Sequence, residues 1–120
     1  MKLNQLNLKA HLIEPQDSGA LRVNGCLHER SIWFDHEHVQ PWRPKAHRDI
    51  QLGDFAPIIA LKPDVLLVGT GLHQHFLPPA VRAQIEQAGI GVEVMSTRAA
   101  IRSYLIMQSD QRSVITALII

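Results

Sequence analysis

The chain of 120 residues has one cysteine, Cys26. No intrachain disulfide can form, which excludes a disulfide-stapled secreted scaffold and points to a reducing cytoplasmic compartment. Net charge is nearly absent. Twelve Lys and Arg face eleven Asp and Glu, for a formal +1. Such a balance gives no broad field to gather nucleic acid or an anionic membrane. Long apolar runs are also missing. The best stretches, 65–68 and 114–120, fall far short of the roughly 20 residues of a membrane span. Residues 1–12, broken by Asn4, Gln5 and Asn7, read neither as a signal sequence nor as an Arg- and Ser-rich transit peptide.

Hydrophobic residues make up 46% and charged residues 19%, enough to build a core and too little charge for disorder. The length suits one domain over 1–120. The first half reads as antiparallel β. Leu21 and Val23 precede Asn24-Gly25, and β-branched and aromatic residues follow from Leu27 to Phe34. Asn-Gly marks a type I′ turn, whose two central residues need positive φ. Alternation puts Arg30, Ile32 and Phe34 on one face of the second strand and Ser31 and Trp33 on the other. From Asp35 to about Leu52 the chain reads as irregular, with Pro41 and Pro44 denying ladder hydrogen bonds. Arg43, Lys45, His47 and Arg48 there form a solvated basic cluster, too short for a nucleic-acid footprint. A short helix is expected near Asp54, whose carboxylate can cap free N–H groups. Phe55, Ile58, Ile59 and Leu61 would face inward.

The second half alternates strand and helix. Val65-Leu66-Leu67-Val68 is apolar on both faces, as in a strand covered on both sides. A helix is predicted from Pro79 to Ala88, with Leu77, Val81, Ile85 and Ala88 in a stripe and Gly89 closing it. Val92-Glu93-Val94-Met95 is the next strand, parallel to the first. Ser96 or Thr97 caps a helix to about Gln108 that buries Ala100, Ile101, Tyr104 and Leu105. A last strand spans 113–120.

Several stretches carry a family pattern. They are Asp17-Ser18-Gly19, Val23-Asn24-Gly25, a lone Trp42, and above all Pro63-Asp64-Val65-Leu66-Leu67-Val68-Gly69-Thr70-Gly71. Gly91-Val92-Glu93-Val94-Met95-Ser96-Thr97 follows, then Ala99-Ala100, Tyr104, Asp110-Gln111-Arg112 and Ala117-Leu118-Ile119. In order and spacing over 17–120 the chain resembles the Mth938-like family that includes the mitochondrial complex I assembly factor three and an adipogenesis-associated protein. Many members are known only as a domain of unknown function. The chain departs from the family pattern at Ser96, Leu105 and Asp110-Gln111-Arg112. The resemblance implies a three-layer α/β fold with a mixed central sheet, and a non-enzymatic assembly role.

Candidate sites are few. Gly69-Thr70-Gly71 follows a strand, where glycines let backbone N–H groups approach an anion. The dinucleotide fingerprint fails, because Gln74 stands where a third glycine belongs and the next strand ends in Met95-Ser96. No cofactor is therefore expected. Thr97, Arg98, Arg102 and Arg112 could extend a strand-end cleft. Arg98 and Arg102, four apart, share a helix face. His36-Glu37-His38 and His73-Gln74-His75 are weak metal candidates, each without a third ligand nearby in sequence. Cys26 and His28 alternate to one strand face, which reads as a half-buried thiol. No nucleophile elbow, phosphate-binding loop or carboxylate pair appears. The leading reading is a non-catalytic protein-interaction or assembly module with an unknown protein partner. The alternative is small anionic ligand binding or weak enzymatic activity at the strand-end cleft.

Overall fold

A computed structural model describes residues 11–108 and 113–120. Three short strands, β1 (Ile13–Pro15), β2 (Leu21–Val23) and β3 (Cys26–His28), form an antiparallel meander. Five more form the main sheet: β4 (Ile32–Phe34), β5 (Val39–Pro41), β6 (Val65–Gly69), β7 (Gly91–Met95) and β8 (Val114–Leu118). Their order is β5-β4-β8-β6-β7, with β6 parallel to both β7 and β8 and β4 antiparallel to both β5 and β8. The helices are α1 (Ala56–Ala60), α2 (Pro79–Gln87) and α3 (Thr97–Met107). The sheet is mixed, as the family resemblance implies.

Strand alternation sorts the core into two layers. Leu66, Val68, Ile115, Ala117 and Trp33 point to one side and pack with Phe55, Ile58 and Ile85 from the α1 and α2 side. Val65, Leu67, Leu118, Ile32 and Phe34 point to the other. There they meet Ala100, Ile101 and Tyr104 of α3 and Ile13, Leu21 and Val23 of the meander. The edge-to-face contact of Phe34 with Tyr104, centroids 4.8 Å apart, joins β4 to α3. A strand that supplies both layers must be apolar at successive positions, which is why β6 and β8 are buried throughout.

The Asn24-Gly25 turn forms as the dipeptide dictates, with φ of 52° and 85° and Val23 opposite Cys26. The strand expected from Leu27 to Phe34 is instead two strands in two sheets. β3 is an exposed edge of the meander, whereas all three residues of β4 are buried between two neighbours. Exposed Glu29 and Arg30 carry the chain across. Cys26 is exposed rather than half-buried.

Residues 39–41, read as irregular, form β5, and Pro41 is tolerated because this strand lies at the sheet edge. A 3₁₀ turn, Leu52–Phe55, leads into α1. The Asp54 carboxylate accepts from the Gln51 N–H (2.8 Å), so the expected acidic cap exists one turn before the helix proper. Leu61 faces solvent, because α1 stops at Ala60 and Lys62 turns the chain at φ 50°. Ala88 is likewise exposed just past α2. On α3 the buried stripe runs Thr97, Ala100, Ile101 and Tyr104 toward Met107, which leaves Leu105 at its margin, 41% exposed.

One buried polar atom stands out. Thr116, at the centre of β8 between Phe34 and Leu67, is fully buried, and its Oγ1 has no hydrogen-bond partner among the described residues. An unsatisfied buried hydroxyl costs about 1–3 kcal/mol. Thr116→Val, nearly equal in shape, is expected to raise unfolding free energy by about 1 kcal/mol in urea denaturation. A loss of stability would mean the hydroxyl is satisfied in solution.

Candidate functional site

β6, β8 and α3 converge where the parallel strands end. Thr97, first residue of α3, has its Oγ1 donating to the Ile119 carbonyl (2.6 Å) and accepting from the Gly71 N–H (2.9 Å). Its own N–H donates to the Gly71 carbonyl (2.8 Å). Helix capping falls to Ser96, whose Oγ accepts from the Ala99 N–H. Gly69 is required by this approach. A Cβ there would sit 2.8 Å from the Thr97 Cα and 2.8 Å from Leu118 Cδ2. Gly71 adopts φ 99°, the left-handed region that glycine enters without strain. Thr70 is buried. Its hydroxyl bridges the His73 and Met95 carbonyls and accepts from the His75 N–H.

Gly69, Thr70, Gly71 and Thr97 are therefore brought together as a hydrogen-bonded joint. The amides of Thr70, Gly71 and Thr97 are all directed inward, to Met95, Thr97 and Gly71 respectively. A phosphate cradle would need those amides aimed at solvent. Arg98 and Arg102 are exposed and make no ion pair among the described residues. Arg112 lies outside the described residues.

The 70–78 segment, between β6 and α2, presents a different surface. Leu72 and Phe76 are each 85% exposed. The backbone beneath them is tied down by the Thr70 hydroxyl and by Gln74 Nε2, which donates to the Val94 carbonyl at 3.0 Å. The His75 ring stacks on His47, centroids 3.6 Å apart and planes within 4°. Parallel stacking does not aim ring nitrogens at a shared point. His36 lies against Glu37 and His38 against Asp35. Among the described residues, no group of three or more His, Cys, Asp or Glu is placed to hold a metal ion.

A cleft of about 670 Å³ lies elsewhere and is not lined by Gly69, Thr70 or Gly71. It lies where β4 begins and β8 ends, one strand over, between Glu29, Arg30, Ser31, Trp42, Lys45 and Ile120. Its wall is fixed by Arg43, which donates to both Asp54 carboxylate oxygens at 2.7 and 2.8 Å. The Arg43 guanidinium holds the Asp54 carboxyl below its ordinary 3.8 although burial opposes this, and the Gln51 N–H adds to the lowering. Trp42 Nε1 donates to the Asp54 carbonyl (3.0 Å), so the indole is held in place too.

Sequence reasoning located the joint through its glycines but missed the cleft and the exposed loop. The cleft joins residues about 90 positions apart in the chain, and no local pattern marks that pairing. Leu72 and Phe76 sit four apart between Gly71 and Pro78, a spacing that resembles an ordinary helical stripe until the loop is seen to lie outside any helix.

A mixed five-stranded sheet with helices on both faces, a small β meander and a glycine joint at the strand ends define a compact α/β domain. The chain belongs to the family described as protein of unknown function (DUF498/DUF598), whose model matches residues 13–119. It is 30% identical over 109 residues to an uncharacterized protein of Rhodobacter capsulatus, spanning 89% of this chain and 82% of that one. It is 31% identical over 83 residues to NADH dehydrogenase [ubiquinone] 1 alpha subcomplex assembly factor 3 of Danio rerio, spanning 68% of this chain but only 48% of that protein. A crystal structure from Bordetella parapertussis superposes with a TM-score of 0.82 at 34% identity, covering 91% of this chain and 94% of that one. A Mth938-like domain from Bordetella pertussis does so at 0.75 and 30%, covering 83% and 79%.

Gly69→Ala is expected to lower unfolding free energy by about 1–3 kcal/mol, because the methyl meets the Thr97 backbone, which cannot swing aside, as well as the Leu118 side chain. Thermal denaturation measures this, and an unchanged midpoint would show that α3 can slide away. The histidine stack has a pH signature. Burial lowers the His47 pKa below its ordinary 6.5, His75 and Arg48 lower it further, and Asp49 opposes them. A depressed histidine favours the neutral folded state. That contribution is fully present above pH 6.5 and is lost as pH falls through the folded midpoint. In a ring-proton NMR titration His47 should titrate below 6.5 and move upward in His75→Asn.

Proposed function

We propose that this chain is a non-catalytic protein-interaction or assembly module. The observation that carries the reading is the pair Leu72 and Phe76, each 85% exposed on a loop whose backbone is pinned beneath them. A buried Leu or Phe side chain stabilises by about 1.5–3 kcal/mol relative to an exposed one. Holding two of them out in water on an ordered segment is the pattern of a surface that is covered when the protein works. The inward-turned amides of Thr70, Gly71 and Thr97 favour the same reading over an anion site at the glycine turn. The relation to a protein named as an assembly factor of NADH dehydrogenase agrees with it.

A second reading rests on the cleft. Arg30 and Lys45 line it without ion-pair partners among the described residues, which suits a small anionic ligand. It ranks lower because Glu29 shares the lining and the cleft is open to solvent.

Replacing both apolar residues, Leu72→Ser with Phe76→Ser, tests the module reading. Exposed substitutions of this kind shift stability by no more than about 0.5 kcal/mol. The double variant should therefore melt with the parent. It should also lose the proteins that co-purify with the parent chain from its own cells, compared by quantitative mass spectrometry. Retention of the same co-purifying proteins would remove the basis of the proposal.

A further inference from the structure

Two exposed arginines follow directly on the residues that tie down the loop carrying Leu72 and Phe76. Thr97 bonds both backbone groups of Gly71, so Arg98 begins beside the residue that precedes Leu72. His47 stacks on His75, so Arg48 begins beside the residue that precedes Phe76. Arg102 follows Arg98 one helical turn on and is also exposed. None of the three forms an ion pair among the described residues, although Arg43 and Arg82 each do. The carboxylates on the elements beside the loop are Asp49 and Glu93. Neither forms an ion pair among the described residues, and Asp49 acts electrostatically on Arg43 as well as on His47.

We infer that Leu72 and Phe76 anchor a docking surface for a protein partner that offers an apolar slot edged by carboxylates. This rests on the interaction-module reading and names the chemistry of its partner. Phenylalanine and arginine are both enriched at protein interfaces relative to the rest of the surface. The pinned backbone lowers the ordering cost of association, so little affinity is spent on fixing the loop. Arg48 and Arg98, which follow directly on the two residues that tie the loop, favour a partner with carboxylates at its rim and disfavour a basic one. A lipid surface suits the same loop less well. Stable membrane attachment draws on a polybasic cluster or a second anchor, and this chain has a net charge of +1 and two apolar side chains at the loop.

The test is site-specific photocrosslinking in the source cells, with a photoreactive phenylalanine analogue in place of Phe76 and, as control, in place of exposed Leu61 at the end of α1. The expected result is an adduct from position 76, absent from position 61. Its crosslinked peptide, identified by mass spectrometry, should carry apolar residues flanked by Asp or Glu. The adduct should disappear in the Arg48→Glu, Arg98→Glu double variant. With that partner purified, Phe76→Ala should weaken binding about 30-fold or more. Arg98→Glu should weaken it about 10-fold and flatten its salt dependence.

An adduct that survives the arginine reversals would overturn the carboxylate edge and leave the module reading standing. An adduct to lipid alone, or to a second copy of this chain, would overturn the inferred partner. No adduct at all from position 76 would overturn both.

Discussion

A single threonine hydroxyl organises the end of this molecule. Thr97 Oγ1 donates to β8's continuation at Ile119 and accepts from Gly71, just past β6. Three elements are fixed relative to one another by one side chain and the amide next to it. The geometry holds only because Gly69 has no Cβ. Buried hydrogen bonds of this kind add modestly to stability, but leaving their partners unpaired costs much more. The joint is therefore a constraint on position more than a source of energy. It settles where α3 begins, where the 70–78 loop leaves the sheet, and that the amides of Thr70, Gly71 and Thr97 face inward.

The rest of the architecture fits around that constraint. β6 and β8 sit at the centre of the sheet and feed apolar side chains to both faces, so neither layer can shift without disturbing the other. α3 and the meander close one face, and α1, α2 and the turns that precede them close the other. A second polar anchor, the two-pronged contact of Arg43 with Asp54, locks the 42–54 segment against the sheet edge through Trp42. Both anchors use a polar group to fix irregular chain that hydrophobic packing alone would leave loosely specified. Leu72 and Phe76 lie on the loop that issues from the first of these anchors.

The family relation and the surface chemistry bear on different questions. The match to residues 13–119 and the superposition on bacterial structures establish which fold this is. They do not supply an activity, because folds host many functions and the site must be argued from its own residues. The chain spans about half of the vertebrate assembly factor it matches, so that protein's work is not transferable as a whole. What this chain contributes itself is a hydrogen-bonded loop with two exposed apolar side chains and, one strand away, a cleft.

Local chemistry in the sequence determined much of this. Asn24-Gly25 dictated its turn, because few other pairs enter positive φ twice. The double-sided apolar runs at β6 and β8 specified buried central strands, and the 3.6-residue stripes placed α2 and α3 to within a residue or two. Ser96 marked the cap of α3, and Asp54 that of the turn leading into α1. Tertiary structure alone decided the remainder. The break between β3 and β4 depends on which sheet each half joins, and the exposure of Leu61 and Leu105 depends on where α1 stops and how α3 is turned against the sheet. The reason is range. Turns, caps and periodicity are set within a few residues, whereas the stack of His47 on His75, the contact of Thr97 with Ile119 and the exposure of Phe76 exist only after distant segments have packed.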